Sequence, residues 1–173
     1  MNTPSKKLPF HISKVKKNVY DVCGFELSKF QLNEESTEYE ACTFQLESSQ
    51  IISRTAKITP KKVGQFVTIW KRNLAGITTP FHESDTFDFL VINVQKDESF
   101  GQFVFPKSIL IQKRIIATTT KDGKRGIRVY PPWDLPTSKQ AIKTKAWQLN
   151  YFLPITTHAN DVHKIKKIYF KEF

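Results

Sequence analysis

Metal chemistry would show first in the spacing of histidine, cysteine and carboxylate. The four histidines are His11, His82, His158 and His163. Only the last two are near each other, at i and i+5, with no cysteine or acid cluster beside them. Zinc sites use tighter, repeated spacings, so surface positions are expected for all four. Cys23 and Cys42 are too few for a disulfide framework and read as reduced thiols. No Gly-x-Ser-x-Gly elbow presents a nucleophile, and the six glycines are too dispersed to cradle phosphate. These patterns lead us to expect no metal and no cofactor.

One arrangement of acids does merit testing. A Mg²⁺-dependent nuclease holds its ion with carboxylates from adjacent strands and uses a lysine to orient water or steady developing charge. The order of elements here is compatible with a resemblance to the restriction-endonuclease-like core, where an Asp on one strand is followed on the next by Glu or Asp, any residue, then Lys. Asp88 opens an apolar strand and Gln102-Phe103-Val104 lies on the following one. The second acid is therefore a glutamine and the lysine a valine. Asp88 and Lys107 are the catalytic candidates this leaves, with Mg²⁺ as cofactor on this alternative alone. A strand-start role for Asp88 accounts for it more simply.

The basic residues form a fuller pattern. The formal net charge is +11, but residues 101–173 carry 14 basic and 4 acidic side chains, while residues 37–100 carry 7 and 8. An excess this local points to a polyanion: nucleic acid first, then an acidic membrane surface or an acidic protein. Lys61 and Lys62 precede one strand, and Trp70-Lys71-Arg72 ends it. Lys107, Lys113 and Arg114 flank a short helix. Lys124, Arg125 and Arg128 straddle another strand, with Tyr130 and Trp133 just beyond. Guanidinium forks suit phosphates, and aromatic rings in a basic groove stack on unpaired bases. The candidate nucleic-acid-binding set is Lys61, Lys62, Lys71, Arg72, Lys107, Arg114, Lys124, Arg125, Arg128 and Trp133. Lys139, Lys143 and Trp147, four apart, make a further basic stripe on a helix. The bland alternative is a solvated face, with Trp70 in the core.

The elements that must position these residues can be read from periodicity. Ile12, Val15, Val19 and Val22 make one helical stripe, with Gly24 as its stop. Asn33–Thr37 is a loop. From Tyr39 the period becomes two, giving a strand, a turn at Ser48-Ser49 and a second strand over Gln50–Ile58. Further strands are expected over Gln65–Lys71, Phe87–Val94 (central) and Gly101–Phe105, with a long connection over Asn73–Glu83. Pro106 is expected at N1 of a short helix over Ser108–Gln112. Arg114–Thr119 and Gly126–Tyr130 are strand candidates. A helix over Ser138–Leu153 would bury Ile142, Ala146, Leu149 and Leu153, and a last one would span Val162–Phe170. At 39% hydrophobic and 25% charged residues the chain has enough apolar content to fold. The fold class expected is α+β: a single domain over 1–173, with a mainly antiparallel or mixed central sheet between N-terminal and C-terminal helices. No apolar run is long enough to span a bilayer, and Met1–Pro9 lacks a secretory apolar stretch, so the cytoplasm is the expected compartment.

Several of these runs together resemble the MepB family. They are Ala56-Lys57-Ile58-Thr59-Pro60-Lys61-Lys62-Val63-Gly64-Gln65-Phe66-Val67-Thr68-Ile69-Trp70-Lys71-Arg72, then Pro80-Phe81 with Asp85–Phe89, then Gly101–Ser108. Gly123–Asp134 and the Lys145, Trp147, Gln148 set complete the match, which is clearest over residues 39–152. The resemblance implies a small bacterial cytosolic protein with a nuclease-like fold that binds oligonucleotides. It supplies no reaction, cofactor or catalytic residue. A regulatory protein that binds an acidic partner is the remaining alternative.

Overall fold

In a computed structural model, which describes residues 7–158 and 160–170, the chain opens with helix α1 (Phe10–Val15) and a π-helical turn over Lys16–Tyr20. The first six residues of the polar start, Met1–Lys6, lie outside the described residues. Ile12, Val15 and Val19 are buried as their stripe requires. The π turn, closed by Asp21 N–H on the Lys16 carbonyl, takes more residues per turn. The stripe therefore passes to Tyr20, and Val22 is 55% exposed instead of buried. Gly24, at φ +72°, supplies the left-handed stop.

Strands β1 (Leu27–Leu32), β2 (Cys42–Leu46) and β3 (Ser49–Thr55) follow. β1 has no clean alternation to read, because Lys29 sits at φ +51° and the pairing register shifts between Ser28 and Gln31. The strand expected over Gln50–Ile58 divides in two. Ala56 donates the last bond, to the Asn93 carbonyl, and β4 (Lys57–Thr59) turns away into a second sheet. The next expected run divides as well, into β5 (Lys62–Thr68) and β6 (Trp70–Arg72). The connection after it contains β7 (Thr78–Pro80), which pairs with β6.

The remaining elements are β8 (Phe89–Lys96), β9 (Ser99–Pro106), α2 (Lys107–Gln112), β10 (Gly126–Val129), α3 (Lys139–Gln148), β11 (Phe152–Pro154) and α4 (Val162–Phe170). Three expectations fail here. Pro106 is extended (ψ 147°) and precedes α2 as its cap, not its first helical residue. Arg114–Thr119 is no strand, since Arg114 lies at φ +54° and only Ala117 makes an isolated bridge, to His82. The long helix stops at Gln148, continues as a 3₁₀ turn, and Phe152 is already β11. Its cap is Ser138, whose hydroxyl accepts from Ala141 N–H. Ile142 is 50% exposed and Ala146 is exposed, so α3 itself packs through Gln148 and Trp147, while Leu149 of the following turn packs on the core and Leu153 is buried in β11.

The main sheet has six strands in the order β1-β2-β3-β8-β9-β11. Only β3 and β8 run parallel; the other pairings are antiparallel. Hence the fold is α+β with a mixed sheet. β8 is central and buried from Phe89 to Val94. One face carries Leu90, Ile92, Phe103 and Phe105, packed against Val67, Ile127 and Val129 of the smaller sheet and Leu110 of α2. That smaller sheet has the order β10-β5-β4. The opposite face carries Val91, Phe100 and Val104 beneath α1 and α4, through Ile12, Val15, Ile165 and Tyr169.

Two amides lie inside this second face. Asn93 and Gln102 are cross-strand partners on β8 and β9, both fully buried. Gln102 Nε2 donates to Asn93 Oδ1 at 2.9 Å, and Asn93 Nδ2 donates to Thr55 Oγ1 at 3.4 Å. Thr55 donates to Glu40 Oε2 at 2.8 Å, which also accepts from His11 Nδ1 at 2.9 Å. In the other direction the Tyr169 hydroxyl donates to Gln102 Oε1, and Tyr20 stands 2.9 Å from it. Every partner here is paid in kind, because an unpaired polar group in such a core is costly. Gln102→Leu removes a partner from both Asn93 and Tyr169. With each orphaned group costing ~1–3 kcal/mol, the expected loss of stability is about 3 kcal/mol, read from the urea unfolding midpoint.

Glu40 also makes stability depend on pH. Burial pushes its carboxyl up, but hydrogen bonds from His11 and Thr55 and the charge of His11 outweigh it, leaving Glu40 below the ordinary glutamate value. A depressed folded value means the contribution is complete above the unfolded pKa of about 4.3 and is lost as pH falls through the lower folded value. Glu40→Gln is expected to lower stability at neutral pH and to flatten this part of the acid-unfolding curve, so that the two proteins converge at low pH, read from urea midpoints across a pH series.

Candidate nucleic-acid interface

The smaller sheet lays its inner residues, Val67, Ile127 and Val129, on the core. Alternation then turns Phe66 and Arg128 outward, and they are direct cross-strand partners. Helix α3 is held beside them by Gln148, which is buried. Its Nε2 donates to the Arg128 carbonyl at 2.9 Å, and its Oε1 accepts from Tyr130 N–H at 2.9 Å. The outer face of the small sheet and the side of α3 thus become two walls of one cleft of about 500 Å³.

Lys62, Lys124 and Arg128 line the sheet wall. Lys113 enters from the end of α2, with its ammonium 5.4 Å from the centre of the Trp147 ring on α3. Gln140 and Thr144 add neutral hydrogen-bonding groups, and among the described residues no carboxylate lines the cleft. Among the described residues none of these four cations has a carboxylate partner. The Arg128 guanidinium is nevertheless oriented: it donates to Thr59 Oγ1 at 2.7 Å and to the Gly64 carbonyl at 3.2 Å. Fixed cations without counter-charge in a concave site concentrate field on whatever anion enters.

Two neighbouring hollows extend the band of charge. A more open one shares Lys113, Gln140, Thr144 and Trp147 with the cleft and adds Lys139 and Lys143. The other shares Lys62 and adds Lys61, Lys96 and Trp133. Here a carboxylate does appear, Asp134, 4.0 Å from Lys96. Burial raises the Asp134 carboxyl, and Lys96 and Lys145 pull it partly back. Trp133 packs edge-on against Phe152 with ring centres 5.9 Å apart, so it is partly a core residue.

The other candidates read from the sequence stand elsewhere. Lys71 pairs with the Asp85 carboxylate, and Lys107 donates to the Asp85 carbonyl. Arg72 pairs with Glu35 at 3.4 Å and covers the Trp70 ring. Arg125 reaches the Thr78 carbonyl at 3.4 Å. These four gather around the β6–β7 hairpin and the loop before β8, where Asp85 offsets Lys71 and Glu35 offsets Arg72. Arg114 is exposed after α2 and lines none of the three hollows. The sequence reading therefore mixed two groups of cations. It also missed Phe66, whose position between buried Gln65 and Val67 on a period-two strand is the signal that would have found it.

Asp88 is exposed at the entrance to β8, where its Oδ2 accepts from Gln50 N–H at 2.7 Å and its carbonyl from Lys107 N–H. Both Asp85 oxygens are engaged, by Lys71 and by His82 N–H. Gln102, at the degenerate acid position, is buried in the core away from solvent. Among the described residues no three His, Cys, Asp or Glu side chains are grouped so as to hold a metal ion, and no helix is long and apolar enough to cross a membrane.

Comparison with known proteins yields one family. Among curated proteins none matches the chain. A solved structure described as the crystal structure of MepB is 35% identical, with a TM-score of 0.73, over 78% of this chain and 89% of that one. A bacterial homing endonuclease aligns at 17% identity with a TM-score of 0.41, over 80% of this chain and 93% of that one. The MepB-like family profile matches residues 33–154, the span that holds both sheets' central strands, the cleft and α3, and the chain belongs to the MepB-like family.

Proposed function

We propose that this protein binds nucleic acid, with its phosphates drawn into the cleft between the small sheet and α3. The observation that carries the reading is the convergence of Lys62, Lys113, Lys124 and Arg128 on one concave site with no carboxylate on its walls among the described residues. Cations on a solvated surface are usually interspersed with acids, as Lys71 and Arg72 are here. Of the cations after residue 100, Lys113, Lys124 and Arg128 line the cleft and Lys139 and Lys143 its neighbouring hollow, whereas Lys164, Lys166 and Lys167 lie on α4 over the opposite face of the main sheet. Binding of this kind is driven by release of counterions, so it weakens steeply with salt and reads charge before sequence. Lys61, Lys139 and Lys143 at the rims extend the path a backbone would follow. Trp133 borders it at the Lys61 end.

The test is anisotropy of a fluorescent oligonucleotide across a salt series. Wild-type protein is expected to bind at low salt with a slope that reports several phosphate contacts. Lys62→Ala with Lys124→Ala should lower affinity and reduce that slope by roughly 1.4 to 1.8, two contacts' worth. Lys71→Ala with Arg72→Ala, whose cations already face Asp85 and Glu35, should leave both nearly unchanged. No binding by the wild-type protein at low salt, or purification with a tightly held acidic protein in place of nucleic acid, would sink the proposal.

A further inference from the structure

We infer that the side of the protein away from the cleft, formed by α1 with its π turn and by α4, docks on an anionic lipid bilayer. The buried stripes of these segments, Ile12, Val15 and Val19 on the first and Ile165 and Tyr169 on the second, rest on the same face of the main sheet. The segments are tied side by side. The Tyr20 and Tyr169 hydroxyls stand 2.9 Å apart, and Asn160 Nδ2 donates to the Asn18 carbonyl at 2.8 Å. Their outer sides therefore point the same way, away from the sheet. With Ile165 and Tyr169 turned inward, helical spacing turns His163, Lys164 and Lys167 outward, and all three are exposed. Lys17 is exposed on the π turn, and Phe10, at the head of α1, is 67% exposed.

Both segments carry cations and no acid. Residues 10–20 contain Lys14, Lys16 and Lys17, α4 contains Lys164, Lys166 and Lys167, and neither contains an Asp or Glu. The acids that flank them are engaged locally: Asp21 pairs with Lys16 at 2.7 Å, and Asp161 Oδ1 accepts from Lys164 N–H at 3.0 Å. Among the described residues Lys17, Lys164 and Lys167 have no carboxylate partner. The cations are also of one kind, since the chain's arginines (Arg54, Arg72, Arg114, Arg125 and Arg128) all lie elsewhere. Arginine grips a phosphate with two donors and stacks on flat rings, whereas lysine is a hydrated point charge. No residue of either segment lines any of the three hollows, so this charge is spread over a surface and not gathered in a pocket. Spread lysines beside an exposed aromatic ring fit a bilayer. Each ammonium gains from the potential of anionic headgroups, and the ring enters the boundary with the acyl chains.

The experiment is co-sedimentation of the full chain with vesicles of phosphatidylcholine, alone or with roughly a third phosphatidylserine. Wild-type protein is expected to sediment with the anionic vesicles at low salt and to stay in solution with the neutral ones. Lys17→Ala with Lys164→Ala and Lys167→Ala should lower partitioning by about tenfold or more. Lys124→Ala with Lys139→Ala and Lys143→Ala removes the same charge from the small-sheet side and should leave partitioning within about twofold of wild type. Phe10→Ser, which alters no charge, should lose roughly tenfold. Urea midpoints near wild type show that the variants fold; should the α1–α4 lysine variant not fold, Phe10→Ser and the two vesicle types decide. No sedimentation with anionic vesicles, equal sedimentation with neutral ones, equal losses in the two lysine variants, or no loss in Phe10→Ser would overturn the inference. So would an α1–α4 lysine variant that loses oligonucleotide binding and keeps vesicle binding, which would assign this side to nucleic acid. Failure of the cleft to bind an oligonucleotide leaves the inference standing, because the two sites lie on opposite sides of the main sheet.

Discussion

Burial of the β8–β9 hairpin on both faces leaves Asn93 and Gln102 without water, and other buried side chains must meet their hydrogen-bonding needs. The partners come from distant parts of the chain: Glu40 and Thr55 from around the β2–β3 hairpin, His11 and Tyr20 from the first helical segment, Tyr169 from the last helix. Hydrophobic contact alone would hold α1 and α4 on the sheet without fixing where along it they sit. A row of directional bonds fixes their position, because a shift of one residue would orphan several buried polar atoms together. The two tyrosines are the extreme case. Burial pushes both phenols far above their ordinary value, so they serve as neutral hydrogen-bonding groups and nothing more.

With that face closed by helices, the other face is free to carry the small sheet. The parallel pairing of β3 with β8 demands a crossover, and here residues 56–88 make it from strands in place of the usual helix. The crossover leaves β4 and β5 on the sheet, and β10 returns much later to pair with β5. Gln148 then locks α3 to the end of β10 through the two backbone groups of Arg128 and Tyr130. The cleft is a by-product of this sequence of constraints: it opens between an element that crosses over and one that comes back to hold it.

Charge is sorted by the same geometry. Lys71 and Arg72 near the β6–β7 hairpin meet Asp85 and Glu35, whereas among the described residues the cations that line the cleft meet no carboxylate. One arginine belongs to neither group. Arg54 is 1% exposed in β3, its Nη1 bonded to the Ser53 carbonyl and its guanidinium over the Phe81 ring at 5.8 Å. Burial pulls its pKa down to about 10, and it remains a cation at neutral pH. Local excess of positive charge along a chain is thus a poor guide to where that charge acts. What separates the cleft lysines from the hairpin lysines is the presence of an acid within a few ångströms.

The sequence by itself determined the fold class, the central place of Phe89–Val94, the β2–β3 hairpin, the terminal helices and the family, because each rests on local periodicity or on long ordered runs. It also determined that the charge is concentrated after residue 100. Boundaries went wrong where one run of strand-forming residues serves two sheets, as at Ala56 and Ile69, since a change of partner leaves no trace in alternation. Helix α3 was misread because its burial rests on Gln148, a polar residue whose value depends on the backbone of β10. Tertiary structure alone decided which cations converge. Lys62, Lys113, Lys124 and Arg128 are spread over 67 residues, and only the pairing of β5 with β10 and the docking of α3 bring them to one cleft. Phe66 joins them for the same reason: its outward face is set by the residues that turn inward.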